Sequence, residues 1–173
     1  MKNHAQFKLT LAAILTAVAI VIPMFMPKIV IPPMSFTLTS HVPIFIACFI
    51  SPAVAVAVVI GSTAGFFLAG FPTVIVARAG THLIFAVLLS MYVKRYGAPK
   101  TFVARLCVGG AVSVVHALCE AAVVQWMFFP EAADNPYYVL YILVGAGTFA
   151  HSMIDYAVSE IIYKRLRIDK KFE

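Results

Sequence analysis

Apolar residues in this chain do not alternate with polar ones. They run in long blocks, and the charged residues collect between the blocks. A bilayer-crossing helix needs about 20 mainly apolar residues, because a rise of ~1.5 Å per residue must cover a ~30 Å hydrocarbon core. The blocks predict spans at 8–26, 40–51, 53–70, 72–93, 101–129 and 138–163. The first ends in Pro-Met-Phe-Met-Pro with no small-residue cleavage site, so it reads as a helix and not as a signal peptide. Pro27, Pro32 and Pro33 make 27–39 a non-helical loop. The stretch 40–70 carries almost no charge and is broken by Ser51-Pro52; as one helix it would be about 46 Å long, too long for the core without strong tilt.

Charge decides between one crossing and two. Apart from Lys28 and Arg78, every Lys and Arg lies near the amino terminus, within 94–105, or within 164–171. Such excess marks the cytoplasmic side, and the three clusters share a side only if 40–70 crosses twice. The reading is therefore an all-α integral membrane protein, a compact six-helix bundle over 1–173 as a single transmembrane domain. Both termini are cytoplasmic, and the loop with Glu131 and Asp134 lies outside.

Composition narrows the class. Hydrophobic residues are 62% of the 173, against about 45–50% for soluble domains, and charged residues 12%, about half the usual ~25%. A soluble enzyme, a secreted disulfide scaffold and a disordered linker are excluded. The net charge of +6 belongs to the topology clusters, and no basic patch with interleaved aromatics points to nucleic acid. Cys48, Cys107 and Cys119 stand singly in apolar runs as small packing residues. Ala12, Ala13, Ala17, Gly61, Gly65, Gly109 and Gly110 let helix backbones approach closely.

An ionisable side chain near the bilayer centre costs roughly 2.5–3.5 kcal/mol on insertion scales. Three spans nonetheless carry polar pairs at i,i+4, each pair on one helix face: Arg78 with His82, His116 with Glu120, His151 with Asp155. Counting from the outer helix ends puts Arg78 and Glu120 ~9–14 Å deep, the three histidines ~15–20 Å, and Asp155 ~25 Å. This predicts an outward-facing polar cavity with histidines as its floor. Arg78, with its planar fork, suits a carboxylate, unless it and Glu120 simply neutralise one another. His151 and Asp155 read equally as a structural pair, and His41 as an interfacial residue. Trp126, Tyr137, Tyr138 and Tyr141 stand near the outer mouth, as an aromatic belt or, turned inward, as a stacking surface for a flat ring.

Two other chemistries use the same residues. Three histidines at similar depth beside Glu120 would suit Zn²⁺ or another divalent ion. However, there is no HExxH and no His pair at i,i+4, so neither a metal nor a cofactor is expected. No nucleophile elbow, Walker loop or paired catalytic aspartates point to an enzyme. Without an ATP-binding motif, energy for uphill transport must come from a partner or an ion gradient.

Six short spans, Ala13-x-x-x-Ala17 in the first helix, a Pro-rich first loop and a polar site on the last three helices resemble the S components of energy-coupling factor (ECF) vitamin importers. The run Ser35-Phe-Thr-Leu-Thr-Ser-His-Val-Pro-Ile-Phe-Ile-Ala, with Gly61-Ser-Thr-Ala-Gly-Phe-Phe and Arg78-Ala-Gly-Thr-His82, is most similar to the niacin-type members. The resemblance implies a non-enzymatic vitamin-binding subunit of a bacterial cell membrane, working with a membrane coupling subunit and two cytoplasmic ATPases. It implies docking on the coupling subunit through Ala13 and Ala17, and a lid at 27–39. The implied site is Arg78, His82, His116 and Glu120, with Tyr141 and His151 as further candidates and Asp155 too deep. Nicotinate, a small flat anion, fits Arg78. Pantothenate, hydroxymethylpyrimidine and pyridoxine-like compounds remain alternatives, and Glu120 suits a donor-rich pyrimidine better.

Overall fold

The computed structural model describes residues 2–31, 34–127 and 135–166. The loop residues Glu131 and Asp134, and the terminal Arg167, Lys170 and Lys171, lie outside the described residues. Helix α1 is Lys2–Phe25, and strands β1, Lys28–Ile31, and β2, Met34–Thr37, follow. Then come α2, Val42–Ile50; α3, Pro52–Leu68; α4, Thr73–Tyr96; and α5, Phe102–Met127. The last helix, α6, covers Tyr138–Arg165; its first nine residues, Tyr138–Ala146, form a π-helix. Among the described residues, four helices are long and apolar enough to cross a membrane: α1 over His4–Phe25, α4, α5 and α6; α3 is a shorter apolar one. This is an all-α membrane protein with one small hairpin.

The basic clusters meet at one end of the molecule. Lys8 and Lys94 line one cleft with Ser51 and Pro52, and Arg105 and Lys164 approach Glu160 at 3.5 and 3.7 Å. The chain therefore reaches this end through α2 and leaves it through α3. Ser51 makes the corner: its backbone is extended, its hydroxyl accepts from Val54 N at 3.3 Å, and Pro52 starts α3, where a missing N–H costs nothing. The segment expected at 40–51 is not a full helical crossing. Nine residues of α2 cover only about 13.5 Å. Every residue from Val42 to Phe49 is buried, the mark of a helix wrapped on all sides by others.

The hairpin replaces the simple loop expected at 27–39. Lys28 faces Thr37 and Ile31 faces Met34 in an antiparallel pair. Two strands alone are marginal in water, so packing must hold them. Phe36 supplies it: a Cβ at Gly147 would come within 2.8 Å of its Cζ, so this ring lies directly on the α6 backbone. On the other side, α1 seats on α3, where a Cβ at Gly61 would meet Thr16 Cγ2 at 2.6 Å. Contact through Thr16 and Ile20 leaves Ala13 and Ala17 exposed on a different face of α1.

Between the hairpin and the basic end lies an apolar core of Phe45, Val58, Phe85, Leu89 and Tyr156. Phe45 sits 5.2 Å from Phe85 and 5.6 Å from Tyr156, ring to ring. Phe85 also touches the His116 ring at 4.7 Å, which is where the core ends and a polar layer begins.

Candidate binding site

The i,i+4 pairs of α4, α5 and α6 turn inward and meet. Arg78 Nη2 donates to Glu120 Oε2 at 2.9 Å, and Thr148 Oγ1 donates to the same oxygen at 2.7 Å. The other oxygen, Oε1, faces His82 Nε2 at 3.4 Å and His116 Nε2 at 3.5 Å. Glu120 is 2% exposed and His116 fully buried. A carboxylate at this depth persists because a guanidinium and a hydroxyl take over the role of its lost water. So Arg78 and Glu120 do form an ion pair, the plainer of the two sequence readings. They do not exhaust each other, since Arg78 Nε is buried without a hydrogen-bond partner among the described residues.

His41, expected at the interface, stands instead at the centre of the layer. Its ring lies 4.7 Å from both His82 and His116 and 5.0 Å from His151, each nearly edge-on. Asp155 puts it there. This carboxylate, fully buried, accepts from the backbone N–H of Thr39 through Oδ1 and of His41 through Oδ2, both at 2.9 Å. His41 Nδ1 lies 3.1 Å from Oδ2 and His151 Nε2 3.3 Å. The start of α2 has no side-chain cap of its own, so a carboxylate from α6 serves its positive end. Ser40 Oγ joins His151 Nε2 at 3.1 Å. Asp155 is thus level with the histidines and not in a separate deeper layer. Its oxygens serve the chain entering α2.

A cavity of about 260 Å³ opens beside this layer. Arg78, His82, Glu120, His41 and Ser40 form its polar wall, and Phe66, Phe71 and Ile75 part of its apolar wall; Thr37 of the hairpin borders it. The expected stacking tyrosine is elsewhere. Tyr141 is 64% exposed, stacked on Tyr137 at 6.2 Å, and borders an outer groove of α5 and α6. Trp126, Tyr137 and Tyr138 are exposed as well. Along the π-helix Leu140 and Val144 are the buried residues, and Tyr141 stands on the outer side. The aromatic wall comes from Phe66 and Phe71, stacked at 4.8 Å. Their signal in the sequence is the turn before Pro72, which brings both rings to one mouth. Of the expected residues, Arg78, His82, His116 and Glu120 are brought together, His151 joins through His41 and Asp155, and Tyr141 does not.

The chain is similar to the niacin transporter NiaX of Lactococcus lactis subsp. cremoris (strain MG1363). The two are 32% identical over 170 residues, covering 93% of this chain and 77% of the relative. No protein-family model matches the chain, and no solved structure matches it.

Proposed function

Because this chain belongs to the niacin-type S-component family of vitamin transporters, a multi-pass family of the bacterial plasma membrane, we propose that it binds nicotinate in the cavity beside Arg78. The observation that carries this is the pairing of an under-used guanidinium with a small flat-walled space. At about 260 Å³ the cavity falls below the ~300–1,000 Å³ of drug-sized pockets, which suits a single ring. The carboxylate takes the remaining donors of Arg78, the ring lies against Phe71, and a histidine on the polar wall faces the pyridine nitrogen. The hairpin acts as the lid.

The same reading orients the protein. The end that gathers Lys8, Lys94, Arg105 and Lys164 is cytoplasmic, and the hairpin and cavity mouth face outward. The chain then passes the membrane six times, the second pass made jointly by residues 38–41 and α2. The exposed Ala13 and Ala17 offer a flat strip for a membrane coupling subunit, with ATP hydrolysed by two cytoplasmic partner subunits.

The test is calorimetric titration of the purified protein with nicotinate, pantothenate, pyridoxine and hydroxymethylpyrimidine. Nicotinate is expected to bind tightest, and Arg78→Ala to abolish that binding while the variant stays monodisperse in detergent. Tighter binding of an uncharged ring, or unchanged nicotinate affinity in the variant, overturns the assignment.

A further inference from the structure

We infer that His41, His82, His116 and Glu120 form a metal site for a divalent transition ion of the zinc type, beside the cavity that His41, His82 and Glu120 line. Each of the four offers one ligand atom, and these atoms lie within 4.8 Å of one another. The three imidazoles form a nearly equilateral set, with centroids 4.7, 4.7 and 4.8 Å apart. Three nitrogens and one carboxylate oxygen are a donor set that suits zinc. The ligands come from the start of α2, from α4 and from α5, so no short sequence motif announces them.

Two independent features favour an ion over a simple hydrogen-bonded network. First, the fully buried His116 has no partner for Nδ1 among the described residues, and its Nε2 is met only by Glu120 Oε1 at a long 3.5 Å. A buried ring nitrogen left this way is destabilising unless something satisfies it. Secondly, the outer partners are those that metal ligands use. Asp155 holds Nδ1 of His41, which leaves Nε2 free, and Arg78 with Thr148 holds Oε2 of Glu120, which leaves Oε1 facing the imidazoles.

Charge is consistent with an ion, a step that rests on the nicotinate reading. With neutral imidazoles, Glu120 and Asp155 outweigh Arg78 by one negative charge, and a bound nicotinate would raise the imbalance to two. A dication returns the whole assembly to neutrality. Two protonated histidines would do so as well, and the two solutions have opposite pH dependence. Protons compete with a metal for imidazole, so metal-supported nicotinate binding weakens on acidification; proton-supported binding strengthens.

The experiment uses the full chain in detergent, stripped with chelator and titrated with cobalt(II) chloride. We expect stoichiometric uptake with the intense visible bands of four-coordinate cobalt, displaced by zinc. Asp155→Asn should weaken cobalt binding about 10–100-fold and His116→Ala by more, with melting curves to confirm folding. Nicotinate affinity should fall at least about tenfold on chelation, recover with zinc, and decline at lower pH. No cobalt uptake, together with nicotinate binding that ignores chelator and strengthens in acid, overturns the metal site and leaves the vitamin reading standing. A chain that holds four-coordinate cobalt yet binds no nicotinate upholds the metal site and overturns the vitamin reading.

Discussion

Replacing Asp155 by asparagine tests whether one carboxylate fastens the lid. The side chain keeps its size, so the apolar core beneath it is undisturbed. The charge and one acceptor are lost. Asp155 Oδ1 serves Thr39 N–H and Oδ2 serves His41 N–H, both at 2.9 Å. Asparagine can keep its oxygen toward only one of these, and its NH₂ then opposes the other donor. Losing one hydrogen bond to a charged acceptor costs roughly 1.5–3 kcal/mol, and turning the surviving bond from charged to neutral about 1 more. The sum, about 3 kcal/mol, is on the order of a hundredfold in the ratio of docked to undocked lid, at ~1.4 kcal/mol per tenfold. Hydrogen exchange read by mass spectrometry should show Thr39 and His41 amides losing protection by about that factor, with α4 and α5 unchanged. Nicotinate should dissociate correspondingly faster. Wild-type exchange at Thr39 and His41 with a wild-type dissociation rate would refute the assignment of Asp155 as the fastening.

Three further outcomes follow from the packing. Phe71→Ala removes an aromatic wall, and at about 0.5–1.5 kcal/mol should weaken nicotinate binding by roughly 2–12-fold in calorimetry while sparing ringless ligands. Equal affinity would place the ring elsewhere. Gly61→Leu drives a side chain into Thr16 and should cost about 1–3 kcal/mol through overpacking, seen as a lower melting temperature in detergent. An unchanged melting curve would mean that α1 does not seat on α3 there. Ala13→Trp, on the exposed strip of α1, should leave nicotinate affinity intact and stop uptake into vesicles carrying the complete transporter; normal uptake would remove that strip as a docking face.

The helices were legible because a bilayer imposes a long apolar block and water-loving ends, and both are visible without coordinates. Lys94, Arg95 and Gly97 end α4 where the sequence places a boundary, and Ser51-Pro52 separates α2 from α3. The pairs Arg78/His82 and His116/Glu120 were legible too, because i,i+4 spacing fixes a shared face before the neighbours are known. His41 was not. At the start of a span it reads as an interfacial residue, whereas Asp155 draws this segment inward to the level of the histidines. Nothing local marks that contact, which joins residues more than a hundred positions apart. Tyr141 was open between belt and stacking surface, since nearness to the mouth does not say which way a ring turns; it stands exposed beside Tyr137.

The meeting of Asp155 with the Thr39 and His41 amides has a consequence for leakage. A carrier in an energised membrane must not let ions follow its cargo, and non-helical backbone is tolerable at such depth only while protein satisfies its polar groups. Parting this contact strands an anion and two N–H groups beside the cavity that Ser40 and His41 line. On the reading of the hairpin as a lid, the closed arrangement is therefore the one that this contact favours.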